Sequence, residues 1–420
     1  MKKLSIERLG SRGEGIATYD GQRLYVPYAL AGETVNAEIE GDHARLVEII
    51  VPSSDRIAPM CRHFGECGGC AVQNLQHDAY AAWKRSLVEI ALRKAGLDVP
   101  VAQLADAHGA GRRRVTFHAR FAQDETRVGF MAARSHRLIE IDACPLLTAE
   151  LAPALAAARV LAAALASRGK PLDLAMTATP SGLDVDLRGA GPLTNAEHAV
   201  LVDAARTLDL ARLTNHGRLV MLGRAPSVEV GGVRTPLPPG AFLQATQAGE
   251  EALSRHVLAA ASGTKNVADL FCGVGAFALP LARFAAVAAY DSNAPAIAAL
   301  QMAAHGASGL RPVRAECRDL YERPLSAREL APFDGVVFDP PRAGAPAQSA
   351  ELAKSVVPLV IAVSCNAQTF CRDAAILRDG GYRTEEIIPI DQFRFSPHLE
   401  LLAVFRRKGE GKNRRRRLLG

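Results

Sequence analysis

The alternation of hydrophobic and polar residues divides the chain into regions with different periods. In roughly the first 55 residues, short stretches with a period of two are separated by turns, among them Asp20-Gly21, which is typical of a hairpin. The pattern predicts about five strands, and five short strands suit a small barrel of the OB type, a common scaffold for oligonucleotides. A purely structural β-rich appendage is the alternative on the pattern alone.

A second region, up to about residue 235, mixes helical and strand patterns. The stretch 77–95 has apolar residues at helical spacing and stops at Gly96. The stretch 112–121 alternates instead. Its alternation places these polar residues on one face of a strand: Arg112, Arg114, Thr116, His118 and Arg120. Such a basic face predicts contact with phosphates, although arginine-rich strand faces are often merely solvated.

From about residue 236 strands and helices alternate, which is typical of a parallel α/β sheet. Apolar runs predict five strands, followed by an antiparallel pair over 382–390 and 399–407. Three of the five strands end in polar or glycine-rich sequences: Asp269–Gly275, Asp339–Arg342 and Ser364–Asn366. Since open α/β sheets bind ligands at the carboxyl ends of their strands, we expect a site at this edge.

Cys365 ends the fifth predicted strand and is the candidate nucleophile of this site. The alternative is a small buried side chain at the end of a strand, because free cysteine is often buried.

The loop after the first strand predicts a nucleoside cofactor. The second strand ends on Asp291, about twenty residues after Gly273, and this arrangement places a ribose against a carboxylate. The loop lacks the third glycine of the dinucleotide fingerprint, which favours S-adenosylmethionine over NAD. Asp319, after the third strand, is placed either to reach an adenine amino group or to cap a helix.

Three cysteines lie close together in the second region, at Cys61, Cys67 and Cys70. The nearest later cysteine, Cys144, precedes a proline, which is a familiar context for a cluster ligand. Four thiolates fit zinc or an iron–sulfur cluster. Structural zinc usually uses two paired knuckles, so a triplet with one distant cysteine favours a [4Fe-4S] cluster.

Composition narrows the class of protein. The 420 residues predict two to four domains, and the net charge of +6 is compatible with a polyanionic partner. No stretch reads as a signal peptide or a membrane span, so we expect a cytoplasmic protein, in which eight cysteines indicate metal binding or catalysis before disulfides. The final stretch, 412–417, predicts a disordered basic tail that attracts nucleic acid or only adds solubility.

Together the motifs resemble those of the bacterial RNA (uracil-C5)-methyltransferases, and among them the large-subunit rRNA enzymes, over almost the whole chain. Gly13-Glu14-Gly15, Asp20-Gly21, Val26-Pro27 and Gly32-Glu33 occur in the order of a TRAM domain. The resemblance also identifies Cys61, Cys67, Cys70 and Cys144 as ligands of a [4Fe-4S] cluster.

The catalytic part of the resemblance lies in the third region. It is carried by these motifs: Phe242-Leu243-Gln244, Asp269–Gly275, Asp339-Pro340-Pro341-Arg342, Ser364-Cys365-Asn366 and His398-Leu399-Glu400. It implies that Cys365 adds to C6 of uracil and that Glu400 removes the proton from C5. It further implies a set of residues around S-adenosylmethionine and the target base: Gln244, Phe271, Gly273, Asp291, Asp319 and Asp339.

The expected architecture is therefore an α/β multidomain protein. Its predicted parts are an OB-like TRAM barrel (1–57), an α+β middle domain with the cluster and an RNA-binding surface (58–235), a Rossmann-like methyltransferase domain that uses S-adenosylmethionine (236–408), and the basic tail (409–420). We expect a monomer that acts on RNA, with 23S rRNA as the first choice. The family's tRNA enzymes tend to lack the barrel and the cluster, which argues against tRNA. A third possibility is an iron–sulfur RNA-binding or sensor protein in which methylation is secondary.

Three positions depart from the family pattern. Thr246 stands where asparagine is frequent, Asp291 where glutamate is usual, and Ala367 where proline usually follows Ser-Cys-Asn. The shorter side chain of Asp291 puts its ribose contact in doubt. None of the three changes removes a catalytic group.

Overall fold

The computed structural model describes residues 1–122 and 125–407. The basic stretch 412–417 lies outside these residues. Within the described part of the chain, no helix is long and apolar enough to cross a membrane.

The N-terminal region forms one six-stranded sheet with the order β1-β5-β6-β4-β3-β2. Its strands are β1 (Lys2–Ser5), β2 (Arg8–Leu9), β3 (Gly15–Tyr19), β4 (Gln22–Val26), β5 (Thr34–Glu40) and β6 (His43–Val51). Asp20 and Gly21 both have positive φ and form the tight turn between β3 and β4 that the sequence predicts. The sheet has six strands and not the expected five, because β1 and β2 are too short to show a recognisable alternation of apolar and polar residues.

The middle region contains a seven-stranded sheet with the order β10-β9-β8-β11-β12-β13-β14. Its elements, with the helix and short strand that precede the sheet, are α1 (His77–Lys94), β7 (Ala105–Asp106), β8 (Arg114–Ala122), β9 (Glu125–Met131), β10 (Leu138–Glu140), α2 (Ala154–Ala163), β11 (Leu172–Thr179), β12 (Gly182–Arg188), α3 (Asn195–Thr207), β13 (Arg212–Asn215) and β14 (Arg218–Leu222). Phe117 and Ala119 of β8 enter a core shared with α2 and α3, which leaves the basic residues on the opposite face, as the alternation predicts.

The C-terminal region begins with a hairpin and continues as an eight-stranded sheet with helices on both faces. Its elements are β15 (Ser227–Val230), β16 (Val233–Pro236), α4 (Gln247–Ala260), β17 (Asn266–Leu270), α5 (Ala278–Leu281), β18 (Ala286–Asp291), α6 (Ala294–Gly306), β19 (Val313–Cys317), α7 (Ala327–Leu330), β20 (Gly335–Phe338), α8 (Pro346–Lys354), β21 (Leu359–Ser364), α9 (Ala367–Asp379), β22 (Tyr382–Asp391) and β23 (Glu400–Arg407).

The order of this sheet is β19-β18-β17-β20-β21-β23-β22-β7, with β17 to β21 parallel and β23 antiparallel to its neighbours. The chain direction across the sheet reverses between β17 and β20, because β18 and β19 lie on one side of β17 while β20 and β21 lie on the other. Such a switch point opens a crevice at the carboxyl ends of the strands. The two faces of the sheet bury separate hydrophobic cores.

Two segments that the sequence predicts as part of the middle domain pack against the C-terminal sheet instead. The segment 77–106 falls within the predicted middle domain, but β7 pairs with β22, and Val88 and Leu92 of α1 join a core of the C-terminal sheet. The hairpin of β15 and β16 also packs its valines into the C-terminal core. Sequence order alone could not show this, because an amphipathic helix indicates that a face is buried but does not indicate against which sheet.

Candidate active site and cysteine-lined cavity

The predicted nucleophile and two acidic motifs lie at one edge of the C-terminal sheet. The strand registers place Leu270 beside Phe338 and Phe338 beside Ala362. The loop that follows β17, Asp339 after β20 and Cys365 after β21 therefore emerge close together. The loops after β20 and β21 are also joined, because Asn366 Nδ2 donates to Arg342 O at 3.3 Å.

Glu400 reaches the same edge from the antiparallel strand. Ser364, the last residue of β21, pairs with Leu401, so Cys365, which directly follows β21, lies opposite the start of β23, where Glu400 lies. Burial raises the pKa of the half-buried Cys365 thiol to about 11, and the carboxyl groups of Glu400 and Asp339 contribute to the rise. The thiol is therefore held in its protonated form in the free protein.

The carboxyl groups of this site perturb each other. Burial raises the pKa of Asp339 to about 7, and burial together with Asp339 raises the pKa of Glu400 well above its usual range. Two cations, Arg114 and Arg342, act in the opposite direction on Glu400. Buried acids with strongly shifted pKa values in a crevice are typical of sites that bind or transform a ligand.

Gln392 connects these groups, and the sequence analysis did not single it out. Its Nε2 donates to Gln244 Oε1 at 2.6 Å and to Glu400 Oε1 at 3.1 Å. Gln244 Nε2 in turn donates to Asp339 Oδ2 at 3.3 Å. The residue directly follows β22, so a polar residue after the first strand of the predicted C-terminal pair was the signal that could have found it.

A buried lysine holds the connection between β22 and β23 in place. Lys84 of α1 donates to Asp391 Oδ1 at 2.8 Å, to Phe393 O at 3.3 Å and to His398 O at 2.5 Å. Burial lowers the pKa of Lys84, and Asp391 opposes that change. Helix α1 thus fixes the segment between β22 and β23. This segment contains Gln392 and leads to Glu400, the first residue of β23.

Strand β17 buries a carboxyl group just before the loop that follows the strand. Asp269 is fully buried, and neither carboxylate oxygen has a hydrogen-bond partner among the described residues. Burial, followed by Asp339, raises its pKa well above the usual range. Phe271 and Gly273 both have positive φ, and a Cβ at Gly273 would meet no atom within 4 Å. Open space and an unsatisfied acid together indicate a site for a ligand that carries positive charge.

Asp291 and Asp319 lie near this loop in different roles. Asp291 accepts hydrogen bonds from the backbone N–H of Gly273 at 2.9 Å and of Asn293 at 2.8 Å, so both oxygens already anchor the loop. Asp319 Oδ1 accepts from Tyr321 N at 2.9 Å within a turn, and the next helix, α7, begins only at Ala327, so Asp319 does not form the helix cap that the sequence left open. Neither carboxyl group is blocked by these contacts, since each oxygen can accept a second hydrogen bond.

The departures at Thr246 and Ala367 have local explanations. Thr246 Oγ1 accepts from Gly249 N at 2.9 Å and caps α4, a role that asparagine performs equally well. Asn366 caps α9 through Gln368 N at 3.0 Å, so alanine at the first helical position is sufficient.

The four predicted cluster cysteines line one cavity of about 580 Å³ in the middle region. Two of their sulfurs already accept hydrogen bonds, Cys70 from Gln73 Nε2 at 3.1 Å and Cys67 from Gly69 N at 3.5 Å. Burial raises the pKa of Cys70 to about 12, and Arg112 opposes the rise at both Cys70 and Cys144. Arg114, Thr116 and His118 of the basic face of β8 line the same cavity.

These thiols are not arranged for one metal ion. Across residues 1–122 and 125–407, no group of three or more His, Cys, Asp or Glu side chains could hold a single ion. The cysteines nevertheless surround a common space. A polynuclear cluster binds each thiolate through a different iron, so its ligands lie farther apart than those of a zinc ion.

The cysteine loop is attached directly to the catalytic edge. Ala71 N donates to Phe395 O at 2.7 Å and Val72 N donates to the same oxygen at 3.3 Å. A neighbouring cleft of about 720 Å³ lies between the N-terminal sheet, the cysteine loop and His398. Four arginines line it: Arg12, Arg112, Arg134 and Arg137. The cleft therefore offers a positively charged approach to the carboxyl edge.

Comparisons with known proteins match the whole chain. Residues 239–408 match the family model described as tRNA (uracil-5-)-methyltransferase. An uncharacterized RNA methyltransferase of Brucella suis is 44% identical over 96% of this chain and 97% of its own length. The 23S rRNA (uracil(1939)-C(5))-methyltransferase RlmD of Aeromonas salmonicida is 32% identical over 96% of each chain.

A solved structure shares the fold. The tRNA (uracil-54, C5)-methyltransferase of Pyrococcus abyssi, in complex with S-adenosyl-L-homocysteine, superposes with a TM-score of 0.73 at 22% identity, covering 96% of this chain and 99% of that one. A tRNA enzyme therefore spans the same length, including the N-terminal β-rich region. The presence of this region therefore does not by itself distinguish an rRNA enzyme from a tRNA enzyme.

Proposed function

The chain belongs to the RNA (uracil-C5)-methyltransferase family, and from this premise we propose that it methylates C5 of a uracil in 23S-type rRNA through Cys365 and Glu400. The observation that supports the proposal is that Cys365, Glu400 and Asp339 lie together at the carboxyl edge of the sheet. They lie beside the loop after β17, in which Gly273 borders open space. The same chemistry on tRNA is the second candidate, supported by the likeness in fold to the Pyrococcus abyssi enzyme.

The proposed reaction begins with covalent addition. C5 of uracil is a poor nucleophile, and addition of the Cys365 thiolate to C6 makes the ring an enolate whose C5 can attack an electrophilic methyl group. The thiol is protonated in the free protein, because burial and the nearby carboxyl groups hold its pKa at about 11. Addition to C6 therefore requires that the thiol first lose its proton, which the half-buried side chain can pass to solvent.

The step that follows methyl transfer restores the aromatic ring of the pyrimidine. After methylation C5 carries both a methyl group and a hydrogen, and Glu400 accepts that proton so that the bond between C6 and Cys365 Sγ can break. The buried position and raised pKa of Glu400 suit a base that must accept a proton from carbon. Asp339 and Gln244, joined by a hydrogen bond, would bind the polar edge of the pyrimidine.

The residues of the loop fit S-adenosylmethionine, which supplies a methyl group on a sulfonium and also carries an ammonium group. Asp269 is fully buried and Asp339 is partly buried, and neither carboxyl group has a cationic partner among the described residues. The sulfonium and ammonium groups of this ligand, which also carries one carboxylate, would offset the cost of ionising these acids. We assign Phe271, Gly273, Asp291 and Asp319 to the walls of this cofactor site. Asp291 then uses the lone pairs that its backbone contacts leave free.

The cysteine-lined cavity fits a [4Fe-4S] cluster held by Cys61, Cys67, Cys70 and Cys144. The N–H donors on two of the sulfurs stabilise thiolates, and Arg112 offsets their negative charge. We propose that the cluster shapes the RNA-binding surface of β8 and the adjoining TRAM-like sheet. The protein would act as a monomer in the cytoplasm.

A tritium-release assay tests this function. RNA transcripts that carry uridine labelled at C5 with tritium are incubated with S-adenosylmethionine, using either 23S rRNA fragments or tRNA. Release from the rRNA fragments supports the proposal, and release from tRNA alone supports the second candidate. An enzyme that binds RNA and releases tritium from neither would instead favour an iron–sulfur RNA-binding protein. Mapping of 5-methyluridine in rRNA from a deletion strain then identifies the modified position.

A further inference from the structure

One buried amide joins the group assigned as the base to the residue assigned to the pyrimidine edge. Gln392 is completely inaccessible to solvent. Its Nε2 supplies one hydrogen to Glu400 Oε1 and one to Gln244 Oε1, at 3.1 and 2.6 Å. Both donor hydrogens of the side chain are thus used on residues of the site.

The orientation of this amide is determined by the backbone. Thr246 N donates to Gln392 Oε1 at 3.3 Å. A backbone N–H can only donate, so the oxygen of the amide must face Thr246 and the NH₂ group must face the active site. Gly249 allows this contact, because a Cβ at that position would lie 2.6 Å from Gln392 Oε1.

The orientation is passed on to Gln244. Because Gln244 Oε1 accepts from Gln392, its own NH₂ group turns toward Asp339, with 3.3 Å between Nε2 and Oδ2. A continuous chain of hydrogen bonds therefore runs from Glu400 through Gln392 and Gln244 to Asp339. A single amide at its centre determines which way the polar groups at both ends point.

We propose that Gln392 is a positioning residue of the methylation reaction, which holds Glu400 in place for proton removal and orients Gln244 toward the pyrimidine edge. This inference rests on the proposed function and deepens it. Gln392 does not touch the reacting atoms in this arrangement, so it acts through its two partners.

Electrostatics around Glu400 indicate which step depends most on Gln392. Asp339 and Cys365 face Glu400 from the ends of β20 and β21, and Arg114 and Arg342 face it from β8 and the loop after β20. Burial and Asp339 favour the protonated acid, whereas the hydrogen bond from Gln392 favours the carboxylate. Removal of this donor should therefore slow the step that needs the carboxylate, which is breakdown of the adduct after methyl transfer.

The test uses Gln392→Met, which keeps the length of the side chain and removes its hydrogen bonds. Gln348→Met is the matched control, because Gln348 is equally buried and hydrogen-bonds the backbone of Leu325, away from the site. Adduct and tritium release are followed by rapid quench with the RNA that the wild type methylates. We expect Gln392→Met to accumulate the covalent RNA adduct and to slow its breakdown about 10- to 100-fold. Gln348→Met should behave as the wild type.

The pH profile separates positioning from a general loss of stability. In Gln392→Met, the pH of half-maximal adduct breakdown should rise by about one unit, because a hydrogen bond to the carboxylate is lost. Combination with Glu400→Gln should add little further slowing, since both changes act on one group. If Gln392→Met does not fold, Gln392→Asn keeps the amide but is one methylene too short to reach both partners, and it should show the same shift.

A folded Gln392 variant with the breakdown rate and pH midpoint of the wild type would overturn the inference, as would an equal effect of Gln348→Met. These outcomes leave the proposed function intact. By contrast, absence of both tritium release and adduct in the wild type would contradict the proposed function itself.

Discussion

The cysteines around the 580 Å³ cavity and Cys365 are all half-buried, yet different charges surround their sulfurs. In the cavity, Gln73 and Gly69 donate hydrogen bonds to sulfur, and Arg112 opposes the rise in pKa. Beside Cys365, Glu400 and Asp339 add to that rise. Donors and a cation favour thiolates, the form of cysteine that binds a metal centre, whereas carboxyl groups disfavour the thiolate of Cys365 and Arg342 opposes them.

The comparison teaches that burial alone does not indicate which thiol reacts. Cys371 makes the point, because burial raises its pKa to about 11 without any contribution from a charged neighbour. Carboxyl neighbours alone do not indicate it either, because Asp269 and Asp291 raise the pKa of the buried Cys272. Cys365 is distinguished by combining carboxyl neighbours with a half-buried position at the carboxyl edge. The two sites are nevertheless in contact, since the backbone that follows Cys70 donates to Phe395 O in the segment leading to Glu400.

The strongest test of the comparison removes the proposed nucleophile. Cys365→Ala should lower methylation about 10⁴-fold or more, because the variant lacks the thiol that is proposed to add to C6. Tritium release and a denaturing gel for the RNA adduct measure the loss. Cys371→Ala is the matched control and should retain activity. Methylation by Cys365→Ala at the wild-type rate would contradict the assignment.

The second test separates addition from proton removal. Glu400→Gln should still form the adduct but slow product formation about 10²- to 10³-fold, because the proton on C5 has no acceptor. The gel should then show more adduct than in the wild type. Rapid turnover without accumulation of the adduct would show that another group is the base.

The third test acts on the other cysteine site. Cys70→Ser should abolish the brown colour and broad visible absorbance of an anaerobic preparation and lower the melting temperature by several degrees, because metal binding contributes to folding. Cys365→Ala should keep the full absorbance. A colourless wild type with stoichiometric zinc would replace the cluster by a zinc site.

The smallest expected effect concerns the charge of the carboxyl groups. Asp339, with a pKa of about 7, is protonated below that pH in the free protein, and a nearby sulfonium favours the carboxylate. Binding of S-adenosylmethionine at pH 6 should therefore release about one proton, and the uncharged thioether of S-adenosylhomocysteine should release fewer. Calorimetry in buffers of different ionisation enthalpy measures the difference. Equal proton release by the two ligands would show that the sulfonium does not lie near Asp339.

Much of the fold could be predicted because its signals are local. The hairpin at Asp20-Gly21, the alternation along β8 and the strands that end at Asp339 and Cys365 each depend on residues close together in sequence. The motifs of the resemblance are also short, and the comparisons confirm the family. The assigned roles of Cys365 and Glu400 remain predictions to be tested.

The sequence by itself determined the order of strands and helices, the family and the residues that carry the proposed chemistry, because period and motif spacing are properties of neighbouring residues. Only the tertiary structure decided that β7 and Lys84 serve the C-terminal sheet and that Gln392 joins Gln244 to Glu400. It alone also showed that carboxyl groups lie beside the half-buried Cys365 and the buried Cys272. These features depend on residues up to about 300 positions apart, such as Lys84 and Asp391 with a separation of 307, and only folding brings their side chains within a few ångströms.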